Sequence, residues 1–178
     1  MLDINLKLSN NFDAHIIKNL WVPYQHDISK FDLSKPNCHG LFGVDDNISN
    51  LSDHSEKNNL WWNKKDILFP YLILVDKCPA GFNLIASKPF LPKEILADFV
   101  VYEFFLLHKY RGSKVSQKAA VQGFEKHKGT WEIVTHTNND IAISFWRKVI
   151  SNYTENNYLE KEIDHIWGRK ISFNFNNS

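Results

Sequence analysis

The spacing of hydrophobic positions along this chain changes several times, and each change marks an element. Residues 1–8 alternate, with Leu2, Ile4, Leu6 and Leu8 separated by polar neighbours, which predicts a strand. Ser9, Asn10 and Asn11 then offer capping side chains, and Ile16, Ile17, Leu20, Trp21 and Tyr24 share a helical face. A helix or helix pair is therefore expected from 10 to about 32, with Pro23 kinking or ending it. Residues 34–59 are rich in Asn, Asp, Ser, Gly and Pro and broken only by an apolar run at 41–44, so a long loop with one short extended piece is expected. Loops of that length are often functional. Leu60, Trp61 and Trp62 form an aromatic anchor before two strands, 69–75 and 80–86, joined by a hairpin turn at 76–79.

The sharpest change follows. Residues 98–107 are a nearly continuous run of Val, Tyr, Phe and Leu, the composition of a central strand buried on both faces. After Tyr110 the period becomes helical: Gly112 allows a tight turn, and Val115, Ala119, Ala120 and Phe124 line one face of a helix from about 112 to 126, ended by Lys128 and Gly129. A strand at 131–136, caps at Asn138, Asn139 and Asp140, and a helix with the stripe Ile141, Ala142, Phe145, Trp146, Val149 and Ile150 come next. Two strands close the chain, 152 to about 163 and 165–175, the second with Trp167, Ile171, Phe173 and Phe175 on one face.

Composition narrows the class. A length of 178 residues suits one domain, 1–178, and 43% hydrophobic with 14% aromatic content is ample for a core without disulfides or metal. Lys and Arg number 21 against 20 Asp and Glu, with no basic block, so no electrostatic footprint for nucleic acid or an anionic membrane is present. No apolar stretch is long enough for a transmembrane helix, and the opening alternation does not read as a secretory signal; a cytoplasmic protein is expected. Cys38 and Cys78 lack the spacing of a zinc site or a redox pair, which fits a reducing compartment.

A strand that feeds a tight turn and then a helix aims the unpaired N–H groups of the first helical turn at an anion, and a phosphate suits that position. Here the turn is Arg111-Gly112-Ser113-Lys114-Val115-Ser116, behind Tyr110. It resembles the acetyl-coenzyme A pyrophosphate loop of the GCN5-related N-acetyltransferases, Gln/Arg-x-x-Gly-x-Gly/Ala, with Lys114 and Ser116 standing where the family has small residues. Asn139-x-x-Ala142-x-x-Phe145-Trp146 resembles the family's Asn-x-x-Ala-x-x-Leu/Phe-Tyr. Gly129-x-Trp131-Glu132 together with 145–150 also looks like a bacterial branch of predicted acetyltransferases. The element order matches over essentially the whole chain. The resemblance implies an α/β (α+β) fold, a mixed and mostly antiparallel sheet of about six or seven strands with helices on both faces.

It also implies a chemistry: direct attack of a neutral amine on the thioester of acetyl-coenzyme A, used as cosubstrate and without metal. By alignment, the backbone at Phe104, Phe105 and Leu106 runs beside the pantetheine arm, and the Leu106 N–H is the expected oxyanion donor. Residues 111–116, Asn139 and Trp146 complete the cofactor-binding set. Glu103 lies where the family is often acidic, and a carboxylate in an aromatic strand should have a raised pKa, which makes it the expected base. His108 and His136 are secondary candidates for the base, directly or through water, and 24–27 are candidates to border the acceptor amine. Trp146 replaces the family's acidic Tyr and is a donor without being a practical acid, so the thiolate proton is assigned to Tyr153, Tyr158 or solvent. The expected acceptor is a small-molecule or peptide amine and the expected state a monomer or homodimer. The alternative is a non-catalytic acyl-coenzyme A binding module.

Lys114 tests the loop. A cation in the first helical turn opposes the macrodipole by a few tenths to about one kcal/mol, unless a bound anion compensates it. Lys114→Gly should weaken coenzyme A binding up to several-fold at low salt and much less at high salt. Tighter binding at every salt concentration, measured by calorimetry, would show that Lys114 obstructs the loop.

Overall fold

The computed structural model describes residues 2–32, 34–166 and 168–178. Strand β1 (Ile4–Leu8) leads to helix α1 (Ala14–Asp32), short helices α2 (Leu51–Glu56) and α3 (Leu60–Asn63), and the hairpin β2 (Leu68–Val75) and β3 (Cys78–Ser87). Then come β4 (Phe99–Leu106), α4 (Lys114–Lys126), β5 (Thr130–His136), α5 (Asp140–Thr154), β6 (Leu159–His165) and β7 (Gly168–Asn176). One seven-stranded sheet results, in the order β1-β2-β3-β4-β5-β7-β6, and only the β4–β5 pairing is parallel. Helices cover both faces. The apolar stripes of α4 and α5, including Val115, Phe124, Val149 and Ile150, pack with Ile73, Ile133 and Phe173 on one side. Ile17, Leu20 and Tyr24 of α1, with Trp61 and Trp62 of α3, pack with Leu72, Phe82 and Phe105 on the other. Among the described residues no helix is long and apolar enough to cross a membrane.

Several boundaries differ from the sequence expectation. The stretch 34–59 is not loop throughout: α2 and a 3-10 turn, Lys57–Asn59, occupy its end, and 41–44 forms bends instead of an extended piece. Asn50 starts the helix reciprocally, its Oδ1 accepting from the Asp53 N–H at 3.0 Å while its Nδ2 donates to Asp53 Oδ2 at 2.8 Å, a capping arrangement hidden in a polar segment. The hairpin turn is two residues, Asp76 and Lys77 at φ 49° and 67°, which places Cys78 and Pro79 in β3. Helix α1 runs through Pro23 without ending there. Helix α4 ends at Lys126 on an extended His127, before Gly129. Ile141 is 79% exposed and Ile143 buried in its place, so the α5 stripe is rotated from the expected one. That helix also continues through Asn152 to Thr154, because Tyr153 still finds Phe124 and Phe175 to pack on, and the first closing strand begins only at Leu159. Met1 and Trp167, assigned to strand positions from the sequence, lie outside the described residues.

Gly81 fixes how closely β3 approaches β4. A Cβ there would stand 2.0 Å from the Phe105 carbonyl oxygen and 2.9 Å from Leu106 Cα, both backbone atoms with little freedom to move. Gly81→Ala should destabilise the protein by about 2–3 kcal/mol in urea denaturation. A loss within about 0.5 kcal/mol would mean that the β3–β4 spacing is not set here.

Candidate active site

Two breaks in the sheet ladder build the site. Strand β4 pairs with β5 only through Phe99↔Trp131 and Val100↔Glu132, after which the two strands diverge. On its other side β4 shifts register against β3 between Leu84 and Ile85, opposite the segment Val101–Glu103. The extra residue on β4 is a bulge, which sharpens the local bend and re-aims the side chains that follow. Beyond it the Leu107 N–H donates to the Ala80 carbonyl at 2.8 Å. Antiparallel alternation then directs the N–H groups of Leu106 and Phe104 away from β3, toward the side that β5 has left.

Two cavities open into that split. The inner one, about 390 Å³, is lined by Tyr24, Asp32, Glu103, His136, Trp146 and Lys170 among others. The outer one, about 590 Å³, runs from Phe104, Phe105 and Leu106 to Arg111, Gly112, Ser113 and Ser116, with Phe145 along one wall. Tyr24, Ile28, Phe104, Asn139 and Ala142 line both, so the cavities meet there.

The outer cavity suits a polyphosphate with an apolar tail. Gly112 sits at φ 69°, a left-handed conformation that favours glycine, and Ser113 caps α4 by accepting from the Val115 N–H at 3.3 Å while donating to the Tyr110 carbonyl at 2.7 Å. The Ser113 hydroxyl therefore organises the turn. Among the described residues the N–H groups of Gly112 and Ser113 have no acceptor within the protein. Phe104 stacks on Phe145 at 5.5 Å, and Trp146 meets Phe104 edge-on at 5.3 Å. Arg111, expected on a phosphate, is held on α1: it pairs with Asp27, its Nε donates to the Leu106 carbonyl at 2.7 Å, and His108 lies 3.6 Å from Asp27. Burial pushes the Asp27 pKa up, but the Arg111 hydrogen bond and charge, with His108, hold it below the ordinary carboxylate value.

The inner cavity carries the titratable groups. Desolvation raises the Glu103 carboxyl to about 7, against a hydrogen bond donated by the Tyr24 hydroxyl and the attraction of Lys170, which both lower it. Burial, then the negative charge of Glu103, raises the Tyr24 pKa well above that of a free tyrosine. Opposite stand His136 of β5 and Lys170 of β7, with the Lys170 Nζ 3.1 Å from both ring nitrogens; burial lowers the pKa of each.

The expected site residues separate into three groups. Glu103, Phe104, Phe105, Leu106, Arg111, Gly112, Ser113, Ser116, Asn139 and Trp146 line one or both cavities. Asn139 also caps α5, its Oδ1 accepting from the Ala142 N–H at 3.0 Å. Lys114 is exposed outside the cavity lining, and the Val115 side chain lies in the core, so these two contribute through main chain and helix only. Tyr153 and Tyr158 reach neither cavity: the first bonds to Asn177 and packs on Phe124, the second packs on Phe173. They are therefore poorly placed as the thiolate acid. Lys170 and Asp32 were not expected. Lys170 stands among even-numbered polar residues of β7 that read as solvated, and nothing in the local pattern marks its burial.

No protein-family model and no curated protein sequence matches the chain. Solved structures do. It is similar to an acetyltransferase from Thermus thermophilus (10% identity, 98% of this chain and 97% of that one, TM-score 0.60). It is also similar to the aminoglycoside acetyltransferase AAC(6')-Ib in complex with coenzyme A and kanamycin (12% identity, 98% and 95% covered, TM-score 0.66). A third similar structure is RimL, a ribosomal L7/L12 alpha-N-protein acetyltransferase in complex with coenzyme A (10% identity, 97% and 93% covered, TM-score 0.63). The chain has the fold of the GCN5-related N-acetyltransferase superfamily.

The Glu103 environment has a consequence for stability. A carboxyl raised to about 7 from 4.5 binds its proton more tightly in the folded state, so its contribution is fully present below about 4.5 and is lost as pH rises through about 7. Glu103→Gln should remove this dependence, so the stability difference between variant and wild type, followed by urea midpoint from pH 4 to 8, should grow in favour of the variant across that window. A constant difference would place the Glu103 pKa elsewhere.

Proposed function

We propose that this chain is a single-domain acetyl-coenzyme A-dependent N-acetyltransferase that moves an acetyl group to a primary amine of a small molecule or peptide. The observation that carries this is the split between β4 and β5, which exposes main-chain N–H groups where a cavity ending at an anion-ready turn meets a cavity holding a carboxyl with a pKa near 7. The similar structures support the cosubstrate and the acceptor class, since two of them hold coenzyme A and act on an aminoglycoside and on an alpha-N-protein amine. On this reading the outer cavity takes the pantetheine arm along Phe104–Leu106, and Gly112, Ser113 and the start of α4 take the pyrophosphate, with Arg111 transferring to it from Asp27. Asn139 closes the wall, and Trp146, on the inner cavity, backs Phe104.

Each group in the split has one task. The Leu106 N–H donates to the carbonyl oxygen as the amine nitrogen attacks and the tetrahedral centre forms. The Glu103 carboxylate takes the proton that leaves that nitrogen. Tyr24 lines both cavities and donates to Glu103, which supports it as the acid: its hydroxyl passes a proton to the departing sulfur and regains one from protonated Glu103. Because the two transfers are linked, no free tyrosinate forms, and the raised Tyr24 pKa is no obstacle. The C–S bond breaks, an amide and a thiol result, and the protein ends as it began.

The second reading, a binding module for an acyl-coenzyme A, is favoured by Trp146 in place of an acidic tyrosine and by Arg111 being tied to Asp27. Thiol release from acetyl-coenzyme A over a panel of amines decides between them. Turnover should rise with pH through about 7 in the wild type, fall on the order of a hundred-fold in Glu103→Gln, and fall roughly ten- to a hundred-fold in Tyr24→Phe with little change in cofactor affinity. A cofactor-induced rise in Tm without turnover of any amine would favour the binding module.

A further inference from the structure

The Lys170 ammonium is an unusual feature of the inner cavity. The residue is only 6% exposed, yet it lines a cavity large enough for a small molecule. Among the described residues its one polar contact is the His136 ring, and no carboxylate lies within ion-pair distance of it. Glu103 and Asp32 act on it only through space. A buried cation without a counter-ion is costly, and proteins rarely retain one whose place an apolar side chain could fill. His136 is kept neutral by burial and by Lys170 itself, so it can accept from the ammonium without neutralising it. Glu103, with Tyr24, comes from β4 and α1, Asp32 from the end of α1, and Lys170 with the neutral His136 from β7 and β5, so groups of both polarities line one cavity.

We propose that the acceptor carries its own carboxylate, and that Lys170, oriented by His136, pairs with it while the amine is presented to Glu103. The site then selects amphoteric amines, such as free amino acids or acidic amino-terminal peptides, over polyamines and uncharged amines. This rests on the acetyltransferase reading above and narrows its acceptor. Lys170 determines specificity and has no part in proton transfer.

The test uses matched pairs: free amino acids against their carboxamides, and peptides with amino-terminal Asp or Glu against their Asn or Gln counterparts. The wild type should acetylate the carboxylate member of at least one series with kcat/KM ten-fold or more above its amide partner, and the series that responds identifies the source of the carboxylate. In Lys170→Met the ratio should fall to about one, while Tm stays level or rises, because the variant removes an uncompensated buried charge. Lys170→Arg should retain part of the discrimination. If amides and diamines turn over as well as the carboxylates, the specificity proposal fails and the acetyltransferase reading stands. If nothing turns over, thermal shift with the same pairs remains: stabilisation of the wild type by the carboxylate members only, absent in Lys170→Met, upholds the site, and equal shifts for both members overturn it. A collapse of Tm in Lys170→Met that Lys170→Arg restores, with no change in discrimination, would make the lysine structural.

Discussion

Everything in this molecule that suggests chemistry depends on one incomplete strand pairing. A parallel pair normally continues while both strands last, since each unmade main-chain hydrogen bond in a buried place costs on the order of 1–3 kcal/mol. Here β4 and β5 share two residue pairs and part. The separation is stable because both strands have other partners: β4 is zipped to β3 from Ser87↔Phe99 to Gly81↔Leu106, and β5 to β7 from Thr130↔Asn176 to His136↔Lys170. Neither strand needs the other beyond Val100. The freed groups on β4 face cavities open to water or ligand, so the penalty is relieved without closing the sheet.

That same opening governs the titratable groups. Glu103 lies just past the bulge, where the chain has turned toward the split, and is surrounded by Tyr24, Tyr102 and Phe104 instead of bulk water. Its pKa near 7 follows from that position more than from any charged neighbour, since desolvation is the leading cause. The same wedge opens the outer cavity and isolates the Glu103 carboxyl from water.

Much of this was legible from residues alone. The central strand at 98–107, the turn at 111–116 and the Asn139 cap all announced themselves because their cause is local: a composition, a glycine at positive φ, a side chain bonding three residues on. Glu103 could be singled out because the family resemblance places an acid there and the aromatic run around it predicts a raised pKa. What could not be read is what arises between elements. Lys170 sits on a face that alternates with Ile171 and Phe173 and therefore looked solvated, whereas pairing with β5 and the approach of the inner cavity bury it. The same holds for Arg111, whose partner Asp27 is 84 residues away. The helix in the polar stretch escaped for the opposite reason: its signal, Asn50 with Asp53, was local but lay among residues whose composition argues for loop.

Helix α1 links these separate features. Its buried face, Ile17, Leu20 and Tyr24, docks on the sheet, and continuing along the same side brings Asp27, Ile28 and Asp32, which border the cavities. One helix thus supplies the hydroxyl that bonds Glu103 and the carboxylate that holds Arg111. An anion at the 111–116 turn would compete with Asp27 for Arg111, and Tyr24 lies one turn from Asp27 on the same helix. Tyr24 and Asp27, one turn apart on α1, thus tie the Glu103 carboxyl of the inner cavity to the Arg111 side of the outer one.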